Sequence, residues 1–173
     1  MNLKFINVSP VLPDEVAAIS TLAGEIWRKH YPGIISPEQI EYMLAQRYRP
    51  EVIAAELSQP DSYWHKGEVD GRLVGFSSCK LLQPAAELKL DKLYICPQHQ
   101  RRGFAAAFIE TAARIADRSG CARLVLAVNK RNAQAIASYR HYGFEIERDI
   151  VADIGGGFVM DDYLMVKPLD GKN

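Results

Sequence analysis

The segment QRRGFA at residues 100–105 combines residue types that suit the binding of a phosphate group. A strand pattern ends shortly before it and an alanine-rich helical pattern begins directly after Gly103, so this glycine lies at a helix N-terminus. The first amides of a helix have no intrahelical acceptors, and with the helix dipole they attract anions. Gly103 and Ala105 leave space for a phosphate, and Arg101 and Arg102 add positive charge. Taken alone, the segment fits an exposed turn somewhat better.

A second pair of polar residues follows one predicted strand later. Asn132 and Tyr139 are seven residues apart, which is two helical turns, so they share one helix face with Ile136 between them. Asn132 is also a favoured N-cap, and aromatic residues at helical spacing are common in cores, so folding alone explains either residue. Next to a phosphate-binding turn, the pair favours a ligand site.

Two carboxylates lie on the strand pattern AELKLDKLYI, residues 86–95. Strand alternation predicts that Glu87 and Asp91 point to one face, with Leu90 and Lys92 on the other. Carboxylates of this kind can accept protons, but an exposed carboxylate paired with a lysine explains Asp91 equally well.

The elements that position these residues predict one domain built on a mixed α/β sheet. Hydrophobic periodicity gives a strand, two helices with a further helical piece, three antiparallel strands, and then helix, strand, helix and two strands. The apolar run RLVLAVN at 123–129 is typical of a buried strand with parallel neighbours. Gly155 to Gly157 are interpreted as a mobile hairpin loop. At 173 residues the chain is long enough for one hydrophobic core.

Composition excludes several classes of protein. The 21 basic and 21 acidic residues balance, so net charge does not indicate a nucleic-acid-binding protein. Three widely spaced cysteines indicate free thiols, and the histidines lack metal-ligand spacing, so no metal site is expected. No run approaches the roughly 18 apolar residues of a membrane span, and the N-terminus lacks a signal-peptide pattern. We therefore expect a cytoplasmic protein with neither a nucleic-acid nor a membrane partner.

At the two helix starts the chain resembles the GNAT superfamily of N-acetyltransferases. The family's acetyl-CoA motif, Gln or Arg-x-x-Gly-x-Gly or Ala, corresponds to residues 100–105, after the strand LYICP. The family pattern Asn-x-x-Ala-x-x-x-Tyr-x-x-x-Gly-Phe corresponds to NAQAIASYRHYGF from Asn132. The resemblance implies a single GNAT domain over residues 1–173, with the best-matching cofactor-binding core at 60–167. It also implies a mixed, mostly antiparallel sheet flanked by helices.

The resemblance further implies which residues bind the acetyl-CoA co-substrate. Backbone groups of Leu93, Tyr94 and Ile95 would pair with the pantetheine, and the Ile95 amide would polarise the thioester carbonyl. Asn132 would bond the pantetheine arm, and Tyr139 would lie beside the sulfur. The residues that would surround the pyrophosphate are Gln100, Arg101, Arg102, Gly103, Phe104, Ala105 and Ala106.

The implied reaction is direct attack of a primary amine on acetyl-CoA in a ternary complex. Tyr139 would be the catalytic acid, and Asp91 is preferred to Glu87 as the base because it is nearer the reacting end of the strand. Glu87 and Tyr31 are expected to contact the substrate, a small-molecule or peptide amine. A non-catalytic acyl-CoA sensor is the alternative, although it would not need Tyr139. Whether the protein is a homodimer stays open.

Overall fold

The computed structural model describes residues 5–169, and within them one seven-stranded sheet carries helices on both faces. The strands are β1 (Asn7–Pro10), β2 (Ser62–Val69), β3 (Arg72–Leu82), β4 (Glu87–Ile95), β5 (Arg123–Asn129), β6 (Glu145–Gly155) and β7 (Phe158–Pro168). The helices are α1 (Val16–His30), α2 (Pro37–Arg47), α3 (Pro50–Leu57), α4 (Phe104–Arg118) and α5 (Ala133–His141). The strand order is β1-β2-β3-β4-β5-β7-β6, and β4–β5 is the one parallel pair of the described sheet. The predicted fold class is confirmed; four residues at each end of the predicted domain lie outside the described part.

The helices divide between the two faces of the sheet according to their apolar stripes. Helices α1 to α3 pack their buried residues on one face, around Trp27, Tyr48 and Phe76. Helices α4 and α5 cover the other face, around Phe144 and Met165. Caps fix where two of these helices begin: Ser36 Oγ accepts from the Gln39 amide (3.1 Å), and Asn132 Oδ1 accepts from the Ala135 amide (3.3 Å). The cap at Asn132 occupies the position that the sequence predicts.

Strands β4 and β5 separate soon after they meet. They pair only where Glu87–Lys89 lies beside Arg123–Val125. Beyond this point β4 continues along β3, while β5 continues along β7 as far as Asn129. Beyond these residues β4 stays paired with β3 and β5 stays paired with β7, but β4 and β5 no longer pair with each other. A wedge-shaped gap therefore opens between β4 and β5.

A β-bulge at Asp91 sets the direction of the side chains beside this gap. Lys92 pairs with Ser78 and Leu90 with Cys79, so Asp91 has no opposite residue on β3. The bulge shifts the alternation by one residue, which turns Lys92 toward the face covered by α1 to α3. Tyr94 lies on the same face, whereas Leu93 packs in the cluster on the α4 face. The predicted placement of Lys92 with Leu90 on one face is therefore wrong.

Lys92 is held in this position by two carboxylates and an aromatic ring. Lys92 Nζ lies 3.0 Å from Glu56 Oε2 on α3 and 2.8 Å from Asp91 Oδ2, and its side chain is fully buried. The ammonium also lies 4.8 Å from the centroid of the Trp64 ring, a cation–π contact. Glu56 belongs to α3 and Trp64 belongs to β2, so the contacts of Lys92 fasten β4 to both elements at the bulge.

We expect Lys92→Ala to lower the free energy of unfolding by about 3 kcal/mol, because it leaves a cavity in place of a fully buried side chain and removes a cation from both Glu56 and Asp91. Urea unfolding followed by tryptophan fluorescence measures the change. The matched control is Lys80→Ala on neighbouring β3, whose half-exposed ammonium lies 4.0 Å from Asp61. We expect less than about 0.5 kcal/mol there. Similar losses in the two variants would contradict the role given to Lys92.

Candidate active site

The gap between β4 and β5 opens into a cleft of about 1150 Å³ that is bordered by residues from both faces of the sheet. Most of the residues that the sequence singled out line it. They are Tyr31, Glu87, Asp91, Leu93, Tyr94, Ile95, Gln100, Arg101, Gly103, Phe104, Ala105, Asn132 and Tyr139. Arg102 and Ala106 are not among the lining residues. One cleft thus collects groups that are separated by more than a hundred positions in the chain.

The end of β4 presents backbone groups to the cleft. The amide of Cys96 donates to the Val74 carbonyl on β3 (2.8 Å). Hydrogen-bonded pairs alternate along an antiparallel ladder, so the backbone of Tyr94 also faces β3. Leu93 and Ile95 direct their amides and carbonyls the other way, into the gap. A chain of matching length could pair with them as a short additional strand.

The turn before α4 has the geometry of an anion-binding site. Arg101 (φ +59°) and Gly103 (φ +77°) are both in the left-handed region, and Arg102 between them is not. Such alternation points successive amides toward one side, forming a concave nest that binds anions. A Cβ added at Gly103 would meet no atom within 4 Å, so the space in front of this turn is open.

Gln100 has a structural function in the same turn. Its Nε2 donates to the Ile95 carbonyl (3.0 Å), and its Oε1 accepts from Gln134 Nε2 on α5 (3.2 Å). The side chain thereby ties the end of β4 to α5 across the mouth of the cleft. The turn is held at a fixed distance from the backbone groups of β4.

Asn132 and Tyr139 come together on α5, as their spacing predicts. Asn132 is buried, and its Oδ1 lies 3.2 Å from His30 Nε2 at the end of α1. Tyr139 packs its ring edge against Phe144, with 5.6 Å between centroids. Among residues 5–169 the Tyr139 hydroxyl has no hydrogen-bond partner, and burial raises its pKa to about 12. The hydroxyl therefore stays protonated at neutral pH and is available to a ligand.

Tyr31 is more enclosed than the sequence indicates. It follows α1 directly, stacks near Trp27 (4.2 Å between centroids) and is 8% exposed. Its hydroxyl lies 3.1 Å from that of Tyr94. Burial raises its pKa well above the ordinary value, and Tyr94, Tyr139 and Asp162 raise it further. Tyr31 lines the same cleft as Tyr139 and Asp162.

The two carboxylates of β4 are engaged in ion pairs. Glu87 bonds Arg123, with 2.6 Å between Oε1 and Nε. Asp91 contacts Arg47 (2.5 Å), Lys92 (2.8 Å) and Lys89 (2.9 Å). Burial opposes ionisation of Asp91, but these three cations outweigh burial and hold its pKa well below its usual range. A carboxylate so acidic is a weak proton acceptor.

Asp162 on β7 is a cleft residue that sequence reasoning missed. It is 9% exposed, and its Oδ1 is buried without a hydrogen-bond partner among the described residues. Burial, followed by the charge of Asp161, raises its pKa to about 6. The sequence shows two adjacent aspartates in a strand, and only the register of β7 decides which one faces inward. Asp161 faces outward and pairs with Lys130 (2.7 Å).

The far end of the cleft is closed by the turn between β6 and β7. Tyr42 on α2 donates its hydroxyl to the Ile154 carbonyl (2.8 Å) and packs on Phe158 (5.1 Å between centroids). A Cβ at Gly155 or Gly156 would lie 2.6 or 2.7 Å from this tyrosine. The glycines thus allow the turn to approach α2 closely.

No group of three or more His, Cys, Asp or Glu side chains within residues 5–169 could hold a metal ion. Likewise, none of the described helices is long and apolar enough to cross a membrane.

Comparison with known proteins places the chain in a family. A model of the Acetyltransferase (GNAT) family matches residues 22–144. The chain is 25% identical over 146 residues to Spermidine N(1)-acetyltransferase of Thermoplasma acidophilum, covering 82% of this chain and 89% of that protein. It is 28% identical over 156 residues to an uncharacterized N-acetyltransferase of Mycobacterium tuberculosis, covering 90% and 97%.

A solved structure shows the same fold. The PaiA N-acetyltransferase from Thermoplasma acidophilum, crystallised in complex with coenzyme A, superposes with a TM-score of 0.81 at 24% identity. The match covers 95% of this chain and 99% of that chain. Because the family model spans more than half of the sequence, the chain belongs to the GNAT family of acetyltransferases, and it is an acyltransferase that uses acetyl-CoA.

Proposed function

We propose that the protein transfers the acetyl group of acetyl-CoA to a primary amine by direct attack within a ternary complex. The observation that carries this proposal is the separation of β4 from β5 after three residue pairs. It leaves the amide of Ile95 unpaired in the same cleft as the Gly103 turn and the Tyr139 hydroxyl.

The cofactor-binding residues support this function as a set. Amides of residues 101–106 would hold the pyrophosphate at the open turn, with Arg101 and Arg102 exposed at its rim. Backbone groups of Leu93 and Ile95 would pair with the pantetheine, and Asn132 would bond its arm from α5. The backbone of Tyr94 faces β3, so we do not assign it to the pantetheine; its side-chain hydroxyl lies 3.1 Å from that of Tyr31. Gln100 positions the turn, and Phe104 packs beside Ile95. Ala105 and Ala106 have small side chains, which leaves space at the start of the helix.

Acetyl-CoA supplies a thioester, whose carbonyl carbon accepts the amine and whose sulfur leaves. The Ile95 amide points into the gap, where one donor to the developing oxyanion is worth about 3 kcal/mol. Tyr139 donates its hydroxyl proton to the departing sulfur. Its high pKa makes it a weak acid, but the amine nitrogen becomes strongly acidic once the new C–N bond forms. That nitrogen can return a proton to the tyrosinate.

The acceptor end of the cleft supports an amine with an aliphatic or aromatic body. Trp27, Tyr31 and Tyr42 line it from α1 and α2, and Asp162 lines it from β7. The relative named spermidine N(1)-acetyltransferase makes a polyamine the first acceptor to test. With Glu87 and Asp91 held by arginine and lysine side chains, we assign these two carboxylates to folding and not to contact with the amine.

We expect Gly103→Glu to abolish acetyl-CoA binding, because its carboxylate would enter the space proposed for the pyrophosphate and repel it. Calorimetric titration of acetyl-CoA measures the loss. Gly120→Glu is the matched control: its φ of +70° imposes the same backbone strain and it also has no neighbour within 4 Å, but it lies at the other end of α4. Retained affinity in Gly103→Glu, or equal loss in the control, would rule out the pyrophosphate site.

We expect Tyr139→Phe to lower kcat about 100-fold or more while changing acetyl-CoA affinity less than threefold, because the hydroxyl acts on the leaving sulfur and not on binding. Thiol-release kinetics and calorimetry separate the two effects. Tyr63→Phe on β2 is the control, since Tyr63 is partly buried but outside the cleft. Equal turnover in wild type and Tyr139→Phe would remove Tyr139 from the mechanism.

The reaction itself is tested by acetyl-CoA calorimetry combined with thiol release over spermidine, a small alkylamine, an amino acid and a peptide N-terminus. We expect acetyl-CoA binding, and thiol release with at least one of these amines. Binding without release would favour a non-catalytic acyl-CoA sensor. Absence of binding would contradict the proposed function altogether.

A further inference from the structure

Three carboxylates line the cleft within residues 5–169, and they differ in what neutralises them. Glu87 is paired with Arg123, and Asp91 is surrounded by cations. Asp162 has no ion pair within the described part of the chain, although it is buried. The nearby cations are already used elsewhere: Arg47 and Lys89 contact Asp91, and Lys130 contacts Asp149 and Asp161.

From this contrast we infer that Asp162 binds the ammonium group of the acceptor amine and removes its proton. The inference deepens the acetyl transfer proposed above and rests on it. Asp162 thus takes the role of proton acceptor, for which sequence reasoning preferred Asp91.

The buried oxygen of Asp162 explains why a cationic ligand fits. A buried acceptor without a hydrogen-bond donor is destabilising, and more so when it is charged. An alkylammonium carries three N–H donors and one positive charge, so it would satisfy both the hydrogen bond and the charge. Neighbours of Asp162 in register are Ile150 on β6 and Asn129 on β5, and Met160, two residues earlier on β7, lies on the same face. The two apolar neighbours suit the carbon chain of such an amine.

The position of Asp162 relative to the gap suits proton transfer. Asn129, its partner in register, belongs to β5, the strand that borders the gap. Asp162 and the proposed acid Tyr139 line the same cleft, together with Tyr31. An amine bound at Asp162 would thus lie in the cleft that also contains the acid.

The transfer step balances as follows. The ammonium gives one proton to the Asp162 carboxylate, and the freed lone pair forms the C–N bond. The C–S bond breaks with its electrons on sulfur, which takes the hydroxyl proton of Tyr139. The second nitrogen proton then restores Tyr139, and Asp162 releases its proton to water. The net products are an amide, free thiol and one proton.

Charged groups around Asp162 come from several elements and bear on its titration. They are Asp161 on β7, Lys89 on β4, Arg47 on α2 and Lys130 after β5. Asp161 raises the pKa of Asp162 and the three cations lower it, but burial is the largest cause, and the result is about 6. Asp162 is therefore largely ionised, and able to accept a proton, from about neutral pH upward.

The test compares Asp162→Asn with Asp161→Asn, using spermidine as the acceptor probe. We expect Asp162→Asn to lower kcat/KM for spermidine at least 100-fold, with acetyl-CoA affinity within about twofold of wild type. Asp161→Asn changes the neighbouring, outward-facing carboxylate and should stay within threefold. A loss below threefold in Asp162→Asn would overturn the inference.

The pH profile separates a proton acceptor from a merely structural residue. In wild type, kcat/KM should be level between about pH 6 and the pKa of the amine, and fall tenfold per pH unit below about 6, because protonated Asp162 cannot accept. Asp162→Asn has no carboxylate to accept a proton, so it can react only with amine that is already unprotonated. Its kcat/KM should therefore rise tenfold per pH unit between about pH 6 and the pKa of the amine. An unchanged profile shape in the variant would overturn the role as base.

Stability gives a readout that is independent of turnover. The folded-state pKa of Asp162 is raised, so its contribution to stability is full below the unfolded value of about 4 and is lost as pH rises through about 6. Asp162→Asn removes the buried charge, so its Tm should exceed that of wild type at pH 8 and approach it at pH 4. A lower Tm at pH 8 would indicate a structural carboxylate and contradict the inference.

Failure of the proposed function can be recognised separately. If wild type acetylates no amine of the panel, acetyl transfer to these amines fails, and calorimetry of spermidine with the coenzyme A-loaded protein decides the inference. At least tenfold weaker binding in Asp162→Asn than in Asp161→Asn would support Asp162 as the ammonium site. Equal binding in the two variants, or none in wild type, would overturn it.

Discussion

The early separation of β4 from β5 is the constraint on which the rest of the site depends. A sheet normally satisfies the backbone groups of its central strands, and leaving them unpaired is costly unless water or a ligand takes their place. Here the amides of Leu93 and Ile95 and the carbonyl of Leu93 face the gap without a neighbouring strand in the described sheet, while β3 and β7 hold the outer edges of the gap. The opening is therefore a fixed feature of the sheet, and a ligand that enters it completes the ladder.

Holding the strands apart requires a rigid β4, and the charges at its bulge provide this. Asp91 and Lys92 are adjacent, yet they reach Arg47 on α2 and Glu56 on α3, so the strand is fastened to two helices at the point where pairing with β5 has ended. The same network decides the chemistry of the carboxylates. Cations hold the pKa of Asp91 low, whereas burial near a second aspartate raises that of Asp162. The surroundings of the two carboxylates thus give them different properties: Asp91 is a structural carboxylate, whereas Asp162 is able to exchange protons.

Local patterns explain which parts of this arrangement could be predicted. The turn at Gly103 and the cap at Asn132 depend on a few neighbouring residues, so their types and spacing specify them. The mixed α/β sheet followed from periodicity and element order, and its mostly antiparallel, helix-flanked form followed from the resemblance to the GNAT superfamily. The bulge at Asp91 could not be predicted, because it is set by how β3 and β4 align, and it reversed the expected direction of Lys92. Asp162 was missed for the same reason: the inward face of β7 depends on pairing with distant strands, which no local pattern records.

The two substrates would be recognised by different kinds of group, and this has a consequence for specificity. The proposed contacts to acetyl-CoA are mostly backbone amides and carbonyls of β4 and the turn, which most substitutions leave in place. The acceptor end is formed by side chains: Trp27 and Tyr42 from the N-terminal helices, Asp162 from β7, and the glycine turn that packs on Tyr42. Exchanging these side chains would reshape the proposed acceptor pocket without disturbing the gap proposed for the donor. A single carboxylate among aromatic and aliphatic walls would select for a cationic nitrogen and leave the rest of the amine to be chosen by shape.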